Sequence, residues 1–292
     1  MNSAVLVTGG TGFIGAAVVA ALRRNGRDVI ALDRADGDIA SPGTLDRHRA
    51  QGITSVIHCA GRTFVPDSWE DPAGFMATNA LGTQHVLEFC RTEGARLTHL
   101  SAYIYGQPER LPIPETAPVR ANNPYAFSKH MAEQACLFYA ENFAVPVTIL
   151  RPFNVYGPGQ PKHFLIPAIF SQLQGTAIEM LDLEPRRDYV FLSDLVDAVL
   201  RAEAPAGAGC RIFNIGSGQS ASVAEIVAAT QAAAGSSLPV KSCGQKRPNE
   251  IPDVVADITA ARKSLNWSPR HDLAEGLKEC WQAQAAALEQ VT

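Results

Sequence analysis

The stretch VTGGTGFIG at residues 7–15 joins a short apolar run to a segment in which apolar residues recur at helical spacing. Its Gly10, Gly12 and Gly15 form a GxGxxG pattern, whose glycines permit a tight turn, close approach of the backbone to a pyrophosphate and close packing of a helix on a sheet. The N-terminus of the following helix also presents free N–H groups to phosphate. We therefore predict a dinucleotide-binding turn. The residues expected to line it are Gly9, Gly12, Phe13, Ile14 and Gly15.

Further apolar runs follow along the first half of the chain and are separated by amphipathic stretches. They lack polar alternation and are typical of strands buried on both faces of a parallel sheet. Strands that alternate with helices imply right-handed βαβ units. The sequence therefore predicts an α/β fold with a doubly wound parallel sheet of the Rossmann type. The apolar runs lie at residues 5–7, 29–32, 55–57, 97–100 and 147–150.

The second half of the chain is less regular, because five prolines interrupt residues 152–187. Residues 190–200 have the pattern of a strand that leads into a helix, and residues 222–234 and 272–288 have the composition of Ala-rich helices. We infer a smaller C-terminal lobe that binds the substrate. The expected boundaries are residues 1–153 and 188–215 for the dinucleotide-binding domain and residues 154–187 and 216–292 for the substrate domain.

The composition and charge of the chain exclude several classes of protein. Lys and Arg number 25 against 29 Asp and Glu, and the net charge of −4 supplies no positive field for nucleic acid. The apolar run at 13–22 is too short for a membrane span, which needs about 20 residues, and no charged region precedes it as in a signal peptide. The six cysteines lie at least 30 residues apart, which disfavours a metal site or a disulfide framework. We expect a cytoplasmic protein with reduced thiols, no metal, and neither a nucleic-acid nor a membrane partner.

A carboxylate follows the second apolar run, where the ribose of a dinucleotide would lie. Asp33 stands 18 residues after Gly15, and an acid at this point accepts hydrogen bonds from the ribose 2′-OH and repels a 2′-phosphate. Asp33 therefore favours NAD over NADP as the cofactor. The adjacent Arg34 leaves NADP open, because a guanidinium there could hold a 2′-phosphate. The alternative interpretation is that Asp33 is an ordinary turn residue.

The segment YAFSK at 125–129 places a phenol and an ammonium four residues apart. On a helix, Tyr125 and Lys129 would share a face, and Pro124 suits the first turn of such a helix. A free phenol has a pKa of about 10 and is a poor base at neutral pH. We expect the Lys129 ammonium, together with an oxidised nicotinamide, to lower the pKa of Tyr125 toward neutrality. Alone, this spacing is weak evidence, because Tyr–Lys pairs on solvated helix faces are frequent.

Together these motifs resemble the extended short-chain dehydrogenase/reductase family, of the NAD-dependent nucleotide-sugar epimerase and dehydratase type. The matching segments follow one another in order along nearly the whole chain. The resemblance implies a bound NAD and a nucleotide-diphosphate sugar as the substrate. The segments are TGGTGFIG at 8–15, Asp33, GDI at 37–39, VIHCAG at 56–61, TNALGT at 78–83, SAYIYG at 101–106, YAFSK at 125–129, LRPFNVYGPGQ at 150–160, RDYVFLSDLVDAV at 187–199, RPNEIP at 247–252 and ADITAARKSLNWSPRHDLAEGLKE at 256–279.

The resemblance implies three catalytic residues and a set of cofactor contacts. Tyr125 matches the general base and acid, Lys129 matches the residue that holds the nicotinamide ribose, and Ser101 matches the hydroxyl that binds the reacting sugar oxygen. The thiol of Cys59 is then a packing group and not a nucleophile. The implied cofactor contacts, besides the glycine turn, Asp33, Tyr125 and Lys129, are Asp38 and Ile39 at the adenine, the backbone of Cys59, Ala60 and Gly61, and Asn79.

The resemblance also implies contacts to the diphosphate of the substrate. Asn154 matches one such contact, and Arg187 and Arg247 match two arginines that bind the diphosphate, in keeping with bidentate Arg–phosphate pairing. For Arg187, the alternative is a salt bridge with Asp188 or Asp194. For Arg247, the alternative is a solvated loop charge.

The two positions after Ser101 distinguish between reactions within the family. The related 4,6-dehydratases carry an Asp-Glu pair there, whereas this chain has Ala102 and Tyr103. Because elimination needs an acid and a base at adjacent carbons, dehydration is disfavoured. We therefore expect an NAD-dependent nucleotide-sugar 4-epimerase that moves a hydride from sugar C4 and back through a 4-keto intermediate. A 4-ketoreductase or 4-dehydrogenase of a deoxysugar nucleotide, and a non-catalytic dinucleotide-binding scaffold, are the alternatives.

A homodimer is the expected assembly. The resemblance implies that two helices of each subunit pair into a four-helix interface. These helices would lie near residues 75–92 and 125–142.

Overall fold

A computed structural model of the chain describes residues 4–204, 207–245 and 250–289. The strands are β1 (Ala4–Thr8), β2 (Val29–Leu32), β3 (Ile53–His58), β4 (Arg96–Leu100), β5 (Val147–Pro152), β6 (Asn154–Tyr156), β7 (Ile178–Met180), β8 (Arg186–Phe191), β9 (Cys210–Ile215), β10 (Ser220–Ser222) and β11 (Val240–Ser242). The helices are α1 (Phe13–Arg24), α2 (Val65–Glu70), α3 (Pro72–Phe75), α4 (Gly82–Glu93), α5 (Pro124–Asn142), α6 (Leu165–Gln172), α7 (Leu192–Glu203), α8 (Val223–Ala234), α9 (Thr259–Leu265) and α10 (Leu273–Glu289), with a 3-10 turn at Asp46–His48 and a π-helical segment at Met76–Leu81. Among the described residues, no helix has both the length and the apolar character needed to cross a membrane.

A six-stranded parallel sheet forms the centre of the fold, in the order β2-β1-β3-β4-β5-β9. One face of the sheet packs against α1 and α7, and the other packs against α4 and α5. Every residue of β1 and β5 is buried, as expected for strands covered on both faces. The predicted doubly wound parallel sheet of the Rossmann type is therefore confirmed.

The second half of the chain builds smaller sheets beside the central one. Strand β8 pairs in parallel with β6 and antiparallel with β10, and β7 pairs in parallel with β11. Helices α6, α8 and α10 surround a separate core that includes Phe170, Ile226 and Leu277. Of residues 188–215, β9 returns to the central sheet as expected, whereas β8 lies between β6 and β10 in the small sheet. The domain boundaries remain a prediction.

The turn between β1 and α1 uses its glycines as the sequence predicts. Gly9 has a φ of +67°, in the left-handed region that favours glycine. Gly15 packs directly on this turn, and an added Cβ would overlap the Gly9 carbonyl oxygen and lie 3.1 Å from Gly10 Cα. Among the described atoms, an added Cβ on Gly12 would meet only the Gly9 oxygen, at 3.3 Å. Helix α1 therefore lies close to the sheet and leaves space beside Gly12.

We expect Gly15→Ala to lower the free energy of unfolding by about 1–3 kcal/mol, because the added methyl group forces α1 away from the turn. Urea unfolding measures the change. Gly12→Ala is the matched control, since its methyl group would approach the Gly9 oxygen to 3.3 Å without overlapping it, and should cost less than about 1 kcal/mol. Equal losses in the two variants would contradict the packing role of Gly15.

Candidate active site

The carboxyl ends of the parallel strands meet at one edge of the sheet, where ligands bind in open α/β folds. Strand β1 leads into the glycine turn, β2 into Asp33, β3 into Cys59 and β4 into Ser101. Helix α5 carries Tyr125 and Lys129, and the Lys129 ammonium contacts the end of β4. The structure therefore brings the predicted cofactor-binding and catalytic segments to a single edge.

The start of α1 and the end of β2 form the part of this edge that suits a dinucleotide. Within the described residues, the N-cap position of α1 is Gly12, which provides no side-chain cap, so the first N–H groups of the helix are available to an anion. Asp33 is half-buried, and its Oδ1 accepts a hydrogen bond from the Ala35 N–H at 2.7 Å. Arg34 beside it is exposed.

Asp38 and Ile39 lie on the loop after β2 and are fixed by their neighbours. The Asp38 Oδ1 accepts from the Ala40 N–H at 2.9 Å, and the Asp38 side chain is exposed. Ile39 is buried against α4, and His85 Nδ1 lies 3.0 Å from the Ile39 carbonyl oxygen. The loop therefore has a fixed backbone with one carboxylate open to a ligand.

The loop after β3 carries Cys59, Ala60 and Gly61. The Cys59 N–H donates to the Thr8 carbonyl oxygen at 3.1 Å, and the Ala60 N–H donates to Thr8 Oγ1 at 3.3 Å. An added Cβ on Gly61 would lie 3.4 Å from Lys129 Nζ. Burial raises the pKa of the Cys59 thiol to about 12, so the thiol stays protonated, in keeping with its expected packing role.

Asn79 lies in the π-helical segment and is buried. Its Oδ1 accepts from the Arg62 N–H at 2.9 Å, and its Nδ2 donates to the Arg62 carbonyl oxygen at 3.0 Å and to Ser128 Oγ at 2.9 Å. We call these three bonds the Asn79 clamp. The clamp fixes the backbone directly after Gly61 and ties it to α5, and it leaves Oδ1 as the atom that can also accept a bond from a cofactor.

Lys129 and Ser101 meet at the end of β4. Lys129 is buried, and its Nζ donates to the Leu100 carbonyl oxygen at 2.7 Å. Burial lowers the pKa of Lys129 to about 8. Ser101 follows Leu100 directly, and its buried Oγ has no hydrogen-bond partner in the described part of the chain. A buried hydroxyl of this kind is available to a substrate oxygen.

Tyr125 lies in the first turn of α5. Asn123 caps this helix, because the Asn123 Oδ1 accepts a hydrogen bond from the Ala126 N–H at 2.8 Å. Burial raises the pKa of the Tyr125 phenol above its usual value near 10, and Tyr103 raises that pKa further. The expectation that Lys129 lowers this pKa is therefore not met by the protein alone. The physical reason is that burial removes the phenolate from water, and Lys129 is not among the groups that shift the pKa of Tyr125.

Arg187 lies in β8 and is held by acceptors from a neighbouring segment. Its Nη1 donates to the carbonyl oxygens of Arg186 and Ile251, each at 2.7 Å, and its Nη2 pairs with the Glu250 carboxylate. The guanidinium is thereby fixed, and part of its donor set remains for an anion because guanidinium has five N–H donors.

The two acids suggested as salt-bridge partners of Arg187 bind backbone instead. Asp188 accepts from the N–H groups of Ser217, Gly218 and Ala256, and Asp194 accepts from those of Arg270 and His271. Both alternative pairings of Arg187 are therefore wrong in the described structure. Asn154 donates through Nδ2 to the Asp188 carbonyl oxygen at 3.2 Å, which places it beside β8. Arg247 lies outside the described residues, and its role stays a prediction.

Sequence analysis did not single out two acidic residues near the site. Glu250 lies three residues after Arg247 in the RPNEIP segment, and no signal in the sequence marks it as the partner of Arg187. Glu133 follows Lys129 by four residues on the same helical face and pairs with Arg151. In the described ranges, no group of three or more His, Cys, Asp or Glu side chains is placed to hold a metal ion.

Comparison with known proteins identifies the family. A model of the NAD dependent epimerase/dehydratase family matches residues 5–216. The chain belongs to this family. The extended short-chain dehydrogenase/reductase resemblance is thereby confirmed.

Three similar proteins illustrate the range of this epimerase/dehydratase family. The chain is 32% identical to UDP-glucose 4-epimerase of Azospirillum brasilense over 324 aligned positions. This alignment covers 98% of this chain and 93% of that protein. It is 33% identical to GDP-6-deoxy-D-mannose reductase of Pseudomonas aeruginosa over 240 aligned positions. This alignment covers 78% of this chain and 79% of that protein. Among solved structures, MoeE5 in complex with UDP-glucose and NAD superimposes with a TM-score of 0.90 at 31% identity, covering 98% of this chain and 100% of that one.

In this epimerase/dehydratase, we expect Asn79→Ala to lower the free energy of unfolding by about 2–3 kcal/mol, because buried hydrogen bonds of the Asn79 clamp are lost. Hydrogen exchange at the Arg62 amide should accelerate by about tenfold or more, since its acceptor is removed. Ser128→Ala is the matched control, because it removes one bond of the clamp and leaves the Arg62 amide paired. The clamp would be rejected if both variants exchanged Arg62 at the same rate.

Proposed function

We propose that this protein is an NAD-dependent nucleotide-sugar 4-epimerase, which moves a hydride from sugar C4 and back through a 4-keto intermediate. One observation carries the proposal: at the sheet edge that also holds the glycine turn, the Lys129 ammonium bonds the Leu100 carbonyl oxygen beside the buried Ser101 hydroxyl, and Tyr125 packs against the cluster that includes Ala102. Neither Ala102 nor Tyr103 supplies the acid that elimination requires. The identity with UDP-glucose 4-epimerase over nearly the full chain supports the same reaction.

The residues at this edge fit NAD. The first N–H groups of α1 suit a pyrophosphate, the space beside Gly12 admits it, and Asp33 suits an unphosphorylated ribose. When bound, NAD supplies a nicotinamide ring that accepts the C4 hydride and returns it. The residues assigned to NAD are Gly9, Gly12, Phe13, Ile14, Gly15, Asp33, Asp38, Ile39, Cys59, Ala60, Gly61, Asn79, Tyr125 and Lys129.

The catalytic side chains have separate roles in moving the proton and in orienting the substrate and cofactor. Tyr125 removes the proton of the C4 hydroxyl as the hydride leaves and returns it afterwards. Ser101 binds the same sugar oxygen through its buried hydroxyl. Lys129 holds the nicotinamide ribose, and its positive charge together with that of the oxidised ring opposes the burial that raises the pKa of Tyr125.

The substrate is assigned as a nucleotide-diphosphate sugar that is held through its diphosphate. Arg187, already fixed by backbone carbonyls, presents its remaining donors to phosphate oxygens, and Asn154 lies beside the same strand. Arg247 is assigned as the second arginine. The UDP-glucose bound by MoeE5 supports a uridine nucleotide. Holding the molecule by its diphosphate leaves the 4-keto sugar free to turn before the hydride returns.

A 4-ketoreductase of a deoxysugar nucleotide is the second candidate function. It would use the same Ser101, Tyr125 and Lys129. The 33% sequence identity with GDP-6-deoxy-D-mannose reductase favours it. The two functions differ in cofactor turnover. An epimerase regenerates its NAD in each cycle and retains it, whereas a reductase must exchange its cofactor.

We expect Tyr125→Phe to lower kcat by about 10²–10⁴-fold with the active sugar nucleotide, because the proton acceptor is lost. Turnover is measured on a panel of UDP-, GDP- and dTDP-sugars, and cofactor that copurifies is quantified. Tyr139→Phe, on the same helix, is the matched control and should retain full turnover.

The proposal predicts near one NAD per purified chain and interconversion of C4 epimers. Consumption of NADPH with a 4-keto sugar nucleotide by cofactor-free protein would favour the reductase instead. A parent protein that turns over no sugar nucleotide would support the scaffold alternative.

The free cysteines support a cytoplasmic location, which stays a proposal. All six cysteines lie in the described ranges, and all are free thiols. Reduced thiols of this number are typical of a reducing compartment. Oxidising conditions would not be expected to leave them all unpaired.

A homodimer is proposed through the two predicted helices, which are α5 and the helix that runs from Met76–Leu81 into α4. Phe127, Met131 and Phe138 are 50%, 39% and 55% exposed, and their spacing places them along one face of α5. Leu81, just before α4, is also exposed. An exposed apolar stripe of this kind marks a protein interface, and a second copy of the same two helices would cover it.

We expect Phe138→Glu to convert the dimer to a monomer, because a carboxylate would be buried unpaired in the interface. Sedimentation velocity at micromolar concentration measures the mass. Leu181→Glu is the matched control, since Leu181 is exposed on the loop after β7, and it should leave the mass unchanged. A parent chain that sediments as a monomer would reject the proposed interface.

A further inference from the structure

The most buried ion pair among the described residues joins the catalytic helix to the central sheet. Glu133 in α5 and Arg151 in β5 are 1% and 5% exposed. Arg151 Nε donates to Glu133 Oε1 at 2.9 Å, and Nη2 donates to the other carboxylate oxygen, so the pair is bidentate. An apolar pair of similar volume would stabilise such a core at least as well. Stability alone therefore does not account for these two charges.

Glu133 lies one helical turn after Lys129. Side chains at this spacing share a face, with Cβ atoms about 5–6 Å apart, and both residues are buried. Lys129 is therefore close to a carboxylate in a region from which water is excluded. The other titratable groups that interact with Lys129 are His58 from the end of β3, Cys59 directly after it, His99 from β4 and Cys136 from α5, and Tyr125 precedes Lys129 by one helical turn.

Among these groups, Glu133 supplies the negative charge. Burial lowers the pKa of His58 to about 3 and holds the pKa of His99 well below its usual value, so both rings are neutral. Burial also raises the pKa of both thiols and of the phenol, so these groups are protonated. Glu133 raises the pKa of Lys129 and opposes the desolvation that lowers it.

We propose that Glu133 is a positioning residue: fixed to β5 by Arg151, its carboxylate stabilises the Lys129 ammonium at the end of β4. This role rests on the proposed function, in which that ammonium holds the nicotinamide ribose and supports the Tyr125 phenolate. Glu133 acts through Lys129. Arg151 in turn sets the position of Glu133, and its Nη1 donates to the Tyr105 hydroxyl at 2.9 Å, so the pair is also anchored to the loop after β4.

The direct test is an NMR titration of Lys129 in protein labelled with ¹³C at the lysine Cε. The chain has six lysines, and the spectrum of Lys129→Arg assigns the signal. The double variant Glu133→Gln/Arg151→Met removes both charges and leaves neither partner buried alone. We expect the pKa of Lys129 to fall by up to about one unit in this variant, because Glu133, and not Arg151, is among the groups that shift this pKa, so that loss of the carboxylate outweighs loss of the guanidinium.

The pH profile of turnover supplies a second measurement. The charged ammonium is the active form in the proposed reaction, and it is lost as the pH rises through the pKa of Lys129. The alkaline limb of kcat/KM should therefore move to lower pH in the double variant, by the same amount as the pKa of Lys129. A residue with a purely structural role would lower the stability and leave this limb in place.

Glu203→Gln is the matched control. Glu203 is a buried carboxylate that pairs with Arg27 and with Arg96 at the other end of β4. Its loss should lower the Tm and leave the pKa of Lys129 unchanged. If the double variant does not fold, Glu133→Asp provides the test. The shorter side chain retains the negative charge but moves it away from Lys129. The pKa of Lys129 should therefore fall by a smaller amount.

An unchanged Lys129 pKa in the folded double variant, or in folded Glu133→Asp, would overturn the proposal. An equal shift in Glu203→Gln would overturn it as well. The titration needs no substrate. A shifted Lys129 pKa in a protein without any turnover would therefore support the role of Glu133 and reject the proposed function, so the two failures are distinguishable.

Discussion

The hydrogen bond from the Lys129 ammonium to the Leu100 carbonyl oxygen is the interaction on which the candidate site depends. A buried ammonium is unfavourable unless it is hydrogen-bonded, so this bond fixes α5 against the end of β4. Ser101 follows its acceptor directly, and Tyr125 precedes its donor by one helical turn. One contact between a helix and a strand thus sets the hydroxyl, the phenol and the ammonium relative to one another.

The parts of the fold that local patterns encode could be predicted from the sequence. The glycine turn, the strands of the central sheet and the start of α5 after Pro124 each depend on residues close together in the chain. Gly15 illustrates why: its lack of a side chain is required by contact with Gly9, six residues away. The topology then brings Asp33 and Ser101 to the same edge without further information, because all the strands of the sheet are parallel.

Features that depend on distant contacts could not be predicted in this way. The partner of Arg187 is Glu250, which no local rule distinguishes from the acids adjacent to Arg187. The pairing of β8 with β6 joins residues far apart in the chain, such as Asn154 and Tyr189. The pKa of Tyr125 depends on burial, which the spacing of Tyr125 and Lys129 does not reveal. In each case the deciding quantity is a long-range contact or a degree of solvation, and a single sequence contains neither explicitly.

The π-helical segment at Met76–Leu81 has a consequence for how the chain can change in length. A π turn accommodates one more residue than an α turn, and one residue corresponds to about 100° of rotation around a helix. Deleting one residue here would restore a regular α-helix and would rotate the helix that follows the deletion relative to the helix that precedes it. Asn79 and the apolar face of α4 could then not both keep their orientations. Substitutions that preserve Asn79 are therefore more readily accommodated in this segment than single-residue insertions or deletions, and length should vary in the surface loops instead.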